Sequence, residues 1–137
     1  MKPSFDIFIS YRRKDSDGKV SGRDIAARIK NAYENRGYDV FFDLDTIQDG
    51  FFDDVILSKI RTCKVFILIL SPDALLRCSN QNDWVRREIK EAIDSGCHII
   101  PINPDGAFEG WPKDLPNEIE LIKRIHISEM NMDTMFK

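Results

Sequence analysis

Apolar residues along the chain fall into short β-rich runs separated by stripes at helical spacing. Residues 5–11 are β-rich; Ile25, Ile29, Ala32 and Tyr33 then recur as one face of a helix over 21–35, which Gly37 stops before 38–43 turns β-rich again. Ser21 with Asp24 three positions on resembles a capping box, which starts that helix after the polar loop 12–20. Beyond a second loop, 44–52, the acids Asp53 and Asp54 suit a helix N-terminus, and Ile56 with Ile60 gives the helix an inner face. Residues 63–70 return as a strand. Its run Val65, Phe66, Ile67, Leu68, Ile69, Leu70 lacks polar alternation, as a strand covered on both faces by helices should.

Ser71 and Pro72 open a third loop and a short helical turn, leading to a helix on which Val85, Ile89, Ala92 and Ile93 form a core-facing stripe. That helix ends near Ser95 and Gly96, before a strand at 98–102. Segment 103–116, with three prolines and two glycines, is too broken for regular structure, 124–128 predicts a short edge strand, and 130–137 the start of a helix. The alternation predicts an α/β fold: flavodoxin-like, doubly wound, a five-stranded mostly parallel sheet with helices on both faces. In such a fold every loop that follows a strand opens on one edge. Arg12 and Arg13, residues 43–52, the approach to Trp84 and residues 108–111 should therefore converge on one cleft.

At 137 residues the chain suits a single domain over 1–137. A net charge of -3 offers no basic excess for a nucleic-acid backbone, so no nucleic-acid partner is expected. The longest apolar run is the six residues from Val65 to Leu70, where a membrane span needs about twenty, and no signal peptide follows Met1. No membrane partner and a cytoplasmic location are the expectations. Cys63, Cys78 and Cys97 are an odd number with no close pair in sequence, and read as small core hydrophobes. His98 and His126 have no acid or cysteine at ligand spacing, so no metal is expected.

Trp84 and Glu88 stand four residues apart on the third helix, placing an aromatic plane and a carboxylate side by side, flanking the buried stripe. Such a pair can grip a flat ring and a sugar together. At the cleft end of the helix the dipole favours the ionised acid by at most about 1 kcal/mol when exposed. A surface acid pairing with Arg87 or Lys90 is the alternative for Glu88, and an ordinary core residue the alternative for Trp84.

The order and spacing of Asp6-Ile7-Phe8-Ile9-Ser10-Tyr11-Arg12-Arg13, Phe42-Asp43 with Ile47 and Gly50, Leu70-Ser71-Pro72, Cys78, and Trp84 followed by Glu88 resemble the TIR domain family. His98-Ile99-Ile100-Pro101-Ile102 and Trp111-Pro112 resemble that family's fourth strand and following loop. TIR domains are either scaffolds that signal through TIR-TIR contacts or enzymes that cleave the nicotinamide-ribose bond of NAD. The glutamate on the third helix, present as Glu88, implies the second class. Nicotinamide leaves as a neutral base from a cationic pyridinium and needs no general acid. One carboxylate facing the ribosyl oxocarbenium-like transition state can suffice.

The resemblance implies Glu88 as catalytic residue, with Trp84, Phe8, Ser10, Tyr11, Arg12, Arg13, Asp43, Gly50, Phe52 and Trp111 binding substrate. Several of these also have structural readings. Phe8 alternates as a core residue, Arg12 and Arg13 could be solvated loop arginines instead of forks for a pyrophosphate, and Asp43 could anchor its loop by an Asx turn. Trp111 serves equally as packing or as a neighbour of the adenine or of another subunit. Residues 44–52 correspond to the family's BB loop, in which Gly50 opens backbone angles closed to other residues and Phe51-Phe52 invites a partner. Self-association through this loop is expected to switch activity on. Gln48 and Thr46 depart from the commoner family pattern, which bears on loop contacts and product choice.

A phosphoacceptor receiver domain would need an acidic pair after the first strand, where Tyr11-Arg12-Arg13 stands; a dinucleotide dehydrogenase would need Gly-x-Gly-x-x-Gly there. NAD is thus expected as substrate, with no cofactor. The products are nicotinamide and ADP-ribose or a cyclic isomer, in defence or virulence signalling of a bacterial source. A scaffold acting through TIR-TIR contacts is the alternative. The early end of the last helix suggests an N-terminal module of a longer protein.

Overall fold

In the computed structural model, which describes residues 6–12, 21–42, 53–72 and 74–130, the apolar runs pair into one sheet. In chain order the elements are β1 (Ile7–Ser10), α1 (Ser21–Glu34), β2 (Val40–Phe42), α2 (Asp53–Thr62), β3 (Val65–Ile69), a 3-10 turn (Leu76–Ser79), α3 (Trp84–Ser95), β4 (His98–Pro104), a 3-10 helix (Asn117–Arg124) and β5 (Ser128–Met130). Strand order is β2-β1-β3-β4-β5, and every pairing is parallel. The flavodoxin-like α/β expectation holds, with a sheet that is wholly parallel.

Registers such as Ile9 opposite both Phe42 and Ile67 align the carboxyl ends of β1, β2 and β3 on one edge. Strand β3 lies third of five and is buried from Phe66 onward, which its unbroken apolar run requires. Alternation then sorts side chains into two layers. Phe8, Phe66 and Leu68 join Ile56, Ile60, Val85, Ile89 and Ile119 on the side of α2 and α3, while Ile9, Tyr11, Ile67 and Ile69 join Ala26 and Ile29 on the side of α1. Phe8 is fully buried, stacked on Phe41 at 5.3 Å and Phe66 at 5.7 Å between centroids. Burying each such ring is worth about 1.5–3 kcal/mol, so this trio is a main attachment of β1 to its neighbours.

Helix α3 is closed at both ends. Asp83 is its N-cap, accepting from the Arg86 backbone N–H at 3.1 Å, and Gly96 at φ 73 is its left-handed C-cap. The C-terminal part differs from expectation. The strand predicted over 124–128 lies at Ser128–Met130, because 117–124 continues as a 3-10 helix whose Ile119 and Ile122 are fully buried. A three-residue apolar spacing matches the three-residue turn of that helix. Met130 belongs to β5, paired with Pro104, and the rest of the predicted last helix lies outside the described residues.

Candidate active site

Ser10 is the last residue of β1, on the same side of the strand as Phe8, and so points toward α3. Its hydroxyl donates to Oε1 of Glu88 at 2.7 Å. Glu88 itself is only 3% exposed and shares the buried face of α3 with Val85, Ile89 and Ala92. The expectation that it flanks the stripe is corrected: positions 85, 88, 89 and 92 form one continuous helical face, and Glu88 lies inside it. The helix-dipole argument is corrected too. Helix α3 begins at Trp84, so Glu88 sits past the first turn, and the positive end of the helix is met by the carboxylate of Asp83. A buried carboxylate is costly unless hydrogen-bonded, and the Ser10 hydroxyl is one group that meets this need at the carboxyl edge of the sheet.

Two residues further along, Arg12 is buried instead of projecting from a loop. Its guanidinium forks onto Asp83, with Nη1 donating to Oδ1 and Nη2 to Oδ2 at 3.0 Å, while Nη2 also donates to the Ala74 carbonyl at 2.7 Å. The Arg12 Nε–H is buried with no partner among the described residues. Burial works against the charge of Asp83, but the hydrogen bonds and charge of Arg12, with the Arg86 N–H, hold its carboxyl below the usual range. Cys78 donates to Asp83 Oδ2 at 3.6 Å; burial, then the Asp83 charge, pushes this thiol up to about 12, so it remains a neutral donor. Arg12 therefore ties the end of β1 to the cap of the helix that carries Glu88.

Gly22 makes this approach feasible. A Cβ there would stand 2.9 Å from the carbonyl oxygen of Arg12, so only glycine lets the start of α1 lie against the chain after β1. At the other end of the site, Arg86 donates to Glu118 at 2.6 and 2.9 Å and to the Cys78 carbonyl at 3.3 Å, holding α3 against the 3-10 helix.

The structure brings Ser10, Arg12, Trp84 and Glu88 to the junction of β1 and α3. The Trp84 ring is half-buried against the α3-side core, with the Arg87 guanidinium 4.8 Å from its centroid. Its indole N–H is buried and has no partner among the described residues. Phe8 lies in the core beneath Ser10, and Tyr11 is buried on the opposite, α1 side of the sheet. Trp111 packs edge-on to Phe108 at 5.2 Å in the loop after β4, where Asn103 accepts from the Phe108 N–H at 2.9 Å and donates to Glu129 at 3.2 Å. Arg13, Asp43, Gly50 and Phe52, and with them the loop 44–52, lie outside the described residues. Asp83 and Gly22 were not singled out from the sequence, although an aspartate directly before a helix is a recognisable cap signal.

The family model for the TIR domain matches residues 7–134. The chain belongs to the TIR domain family. Among curated proteins it is 42% identical over 116 residues to NAD(+) hydrolase sarm1 of Drosophila melanogaster, a match covering 82% of the chain and 8% of that protein. It is 40% identical over 129 residues to NAD(+) hydrolase tir-1 of Caenorhabditis elegans, covering 90% of the chain and 12% of that protein. The chain thus spans a small part of these relatives. Among solved structures, a metazoan TIR-STING receptor from C. gigas in complex with 2',3'-cGAMP superposes with a TM-score of 0.60 at 25% identity, over 94% of this chain and 36% of that one. The TIR domain of the Toll-related receptor TRR-2 from Hydra magnipapillata matches at 0.58 and 16% identity, over 91% and 83% of the two chains, which speaks for the fold alone.

Proposed function

We propose that this TIR domain cleaves the nicotinamide-ribose bond of NAD, releasing nicotinamide and ADP-ribose or a cyclic ADP-ribose isomer, in defence or virulence signalling. The observation that carries this reading is the Glu88 carboxylate, held by the Ser10 hydroxyl at the carboxyl edge of a parallel sheet, where ligands of such folds bind. The names of the two curated relatives support it. As the bond to nicotinamide lengthens, positive charge develops on the ribose, and a carboxylate in a water-poor site stabilises it more strongly than it stabilises the ground state. Trp84, one turn before Glu88 on α3, has a buried indole N–H without a partner among the described residues, a donor that a substrate oxygen can take up. Arg12 in this reading positions α3 through Asp83 and does not itself need to reach the pyrophosphate. NAD is consumed as substrate, with no resident cofactor. Association of subunits through residues 44–52 raises the activity.

Chromatography of nicotinamide and ADP-ribose species from NAD incubated with concentrated or crowded protein tests the reading. Nicotinamide release whose rate per subunit rises with protein concentration, and is lost in Glu88→Ala, is expected. Absence of release in every assembled state would leave a scaffold acting through TIR-TIR contacts.

A further inference from the structure

We propose that Cys63 and Cys97 form a paired dithiol that a hydroperoxide converts into an intrachain disulfide. Cys63 lies between α2 and β3, and Cys97 between α3 and β4. Because β3 and β4 are parallel neighbours, with Val65 opposite His98 and the His98 N–H donating to the Lys64 carbonyl at 3.2 Å, these two connections run side by side. They lie at the amino edge of the sheet, the end opposite the Ser10 and Glu88 contact. Both side chains turn to the same layer: Cys63 is part of the α3-side core, and Cys97 packs against it from a partly exposed position. There each thiol donates to the carbonyl of its own connection, Cys63 to Ile60 at 3.2 Å and Cys97 to Ala92 at 3.5 Å, and the two sulfurs lie close enough to influence each other's ionisation. A pair far apart in sequence, with no disulfide spacing to announce it, is thus assembled by strand register.

The two sulfurs are also unequal. The neighbouring Cys97 sulfur, followed by burial, pushes Cys63 well above the ordinary thiol range, while the neighbouring Cys63 thiol favours the thiolate of Cys97. The partly exposed Cys97 is therefore the sulfur that attacks first. Its thiolate displaces hydroxide from the peroxide oxygen, giving a sulfenic acid. The Cys63 thiol then attacks that sulfur, forming the S–S bond and releasing water, so the peroxide is reduced as two thiols are oxidised. The third cysteine, Cys78, is fully buried beside Arg12 and Asp83, away from this edge of the sheet, which keeps it out of the exchange. The new bond would enclose β3 and the whole of α3, fastening the far end of the helix that carries Glu88 to the end of α2.

The test is hydrogen peroxide treatment of the folded chain, followed by thiol titration, intact mass and peptide mapping under non-reducing conditions. The expected result is a fall from three titratable thiols to one after unfolding, a mass lower by two hydrogens, a linked peptide pair holding Cys63 and Cys97, and full reversal by dithiothreitol. Cys97→Ser and Cys63→Ala should each abolish the link, while Cys78→Ser should leave it intact, and the linked form should melt at higher temperature than the reduced one. Sulfinic acid on Cys97 with Cys63 still free, a link through Cys78 or between chains, or unchanged thiols in the folded protein would overturn the proposal. None of these readouts depends on NAD cleavage.

Discussion

Ser10 and Glu88, 78 positions apart in sequence, meet at 2.7 Å where β1 ends against α3. Their contact couples the sheet edge to the one acid on the buried face of that helix. Glu88→Gln keeps the shape and the hydrogen bond while removing the charge. Nicotinamide release from NAD should fall about 100-fold or more with little change in the melting curve, because charge stabilisation at the transition state is worth several kcal/mol.

Ser10→Ala removes a donor from a buried carboxylate. The loss expected is about 1–3 kcal/mol in urea unfolding, with a smaller drop in NAD cleavage than Glu88→Gln gives, since the acid itself remains. An unchanged urea midpoint would mean that the hydroxyl does not support Glu88.

The Arg12 and Asp83 side chains are 6% and 7% exposed, so each removal leaves a buried charge behind. Arg12→Ala and Asp83→Ala should each cost about 3–5 kcal/mol, and the double variant much less than the sum. A double-mutant cycle by chemical unfolding measures the coupling directly. Arg12→Lys should recover only part of it, since an ammonium cannot fork onto both carboxylate oxygens.

Asp83 also sets an acid limit. Its carboxyl is held below the usual range in the fold, chiefly by Arg12 acting against burial. Stability from this group is therefore full above the unfolded value of about 4 and is lost as pH falls through the folded value. Between about pH 5 and about pH 3, urea midpoints of Asp83→Asn should change less than those of the parent chain. An identical acid slope would show that other carboxylates carry the effect.

Gly22→Ala places a methyl group 2.9 Å from the Arg12 carbonyl oxygen, a backbone atom that cannot swing aside. A destabilisation of about 1–3 kcal/mol is expected, although alanine is ordinarily the better helix former. The same substitution should lower NAD cleavage by displacing the turn that leads from Ser10 to Arg12.

Most of the architecture was legible in the apolar pattern. The unbroken run 65–70 announced a strand covered on both sides, and Ile56 with Ile60 gave the inner face of α2, both as found. The 3-10 helix escaped because Ile119 and Ile122 are too few to establish a period, and its presence displaced the last strand. For the site, helical spacing alone could not distinguish a flanking acid from a buried one at position 88. That depended on Ser10 arriving from another element. The partnership of Arg12 with Asp83 was equally out of reach, since nothing local to either residue records the other.

Among the described strands the one carrying Ser10 is made before its two neighbours, yet it lies between β2 and β3 in the sheet. During synthesis it emerges from the ribosome with both hydrogen-bonding edges empty, and residues 40–42 and 65–69 must follow before either is filled. Such non-local pairing is slow and leaves apolar surface open to other chains meanwhile. The domain is therefore most prone to aggregation while β1 waits for β2 and β3, before any of its chemistry exists.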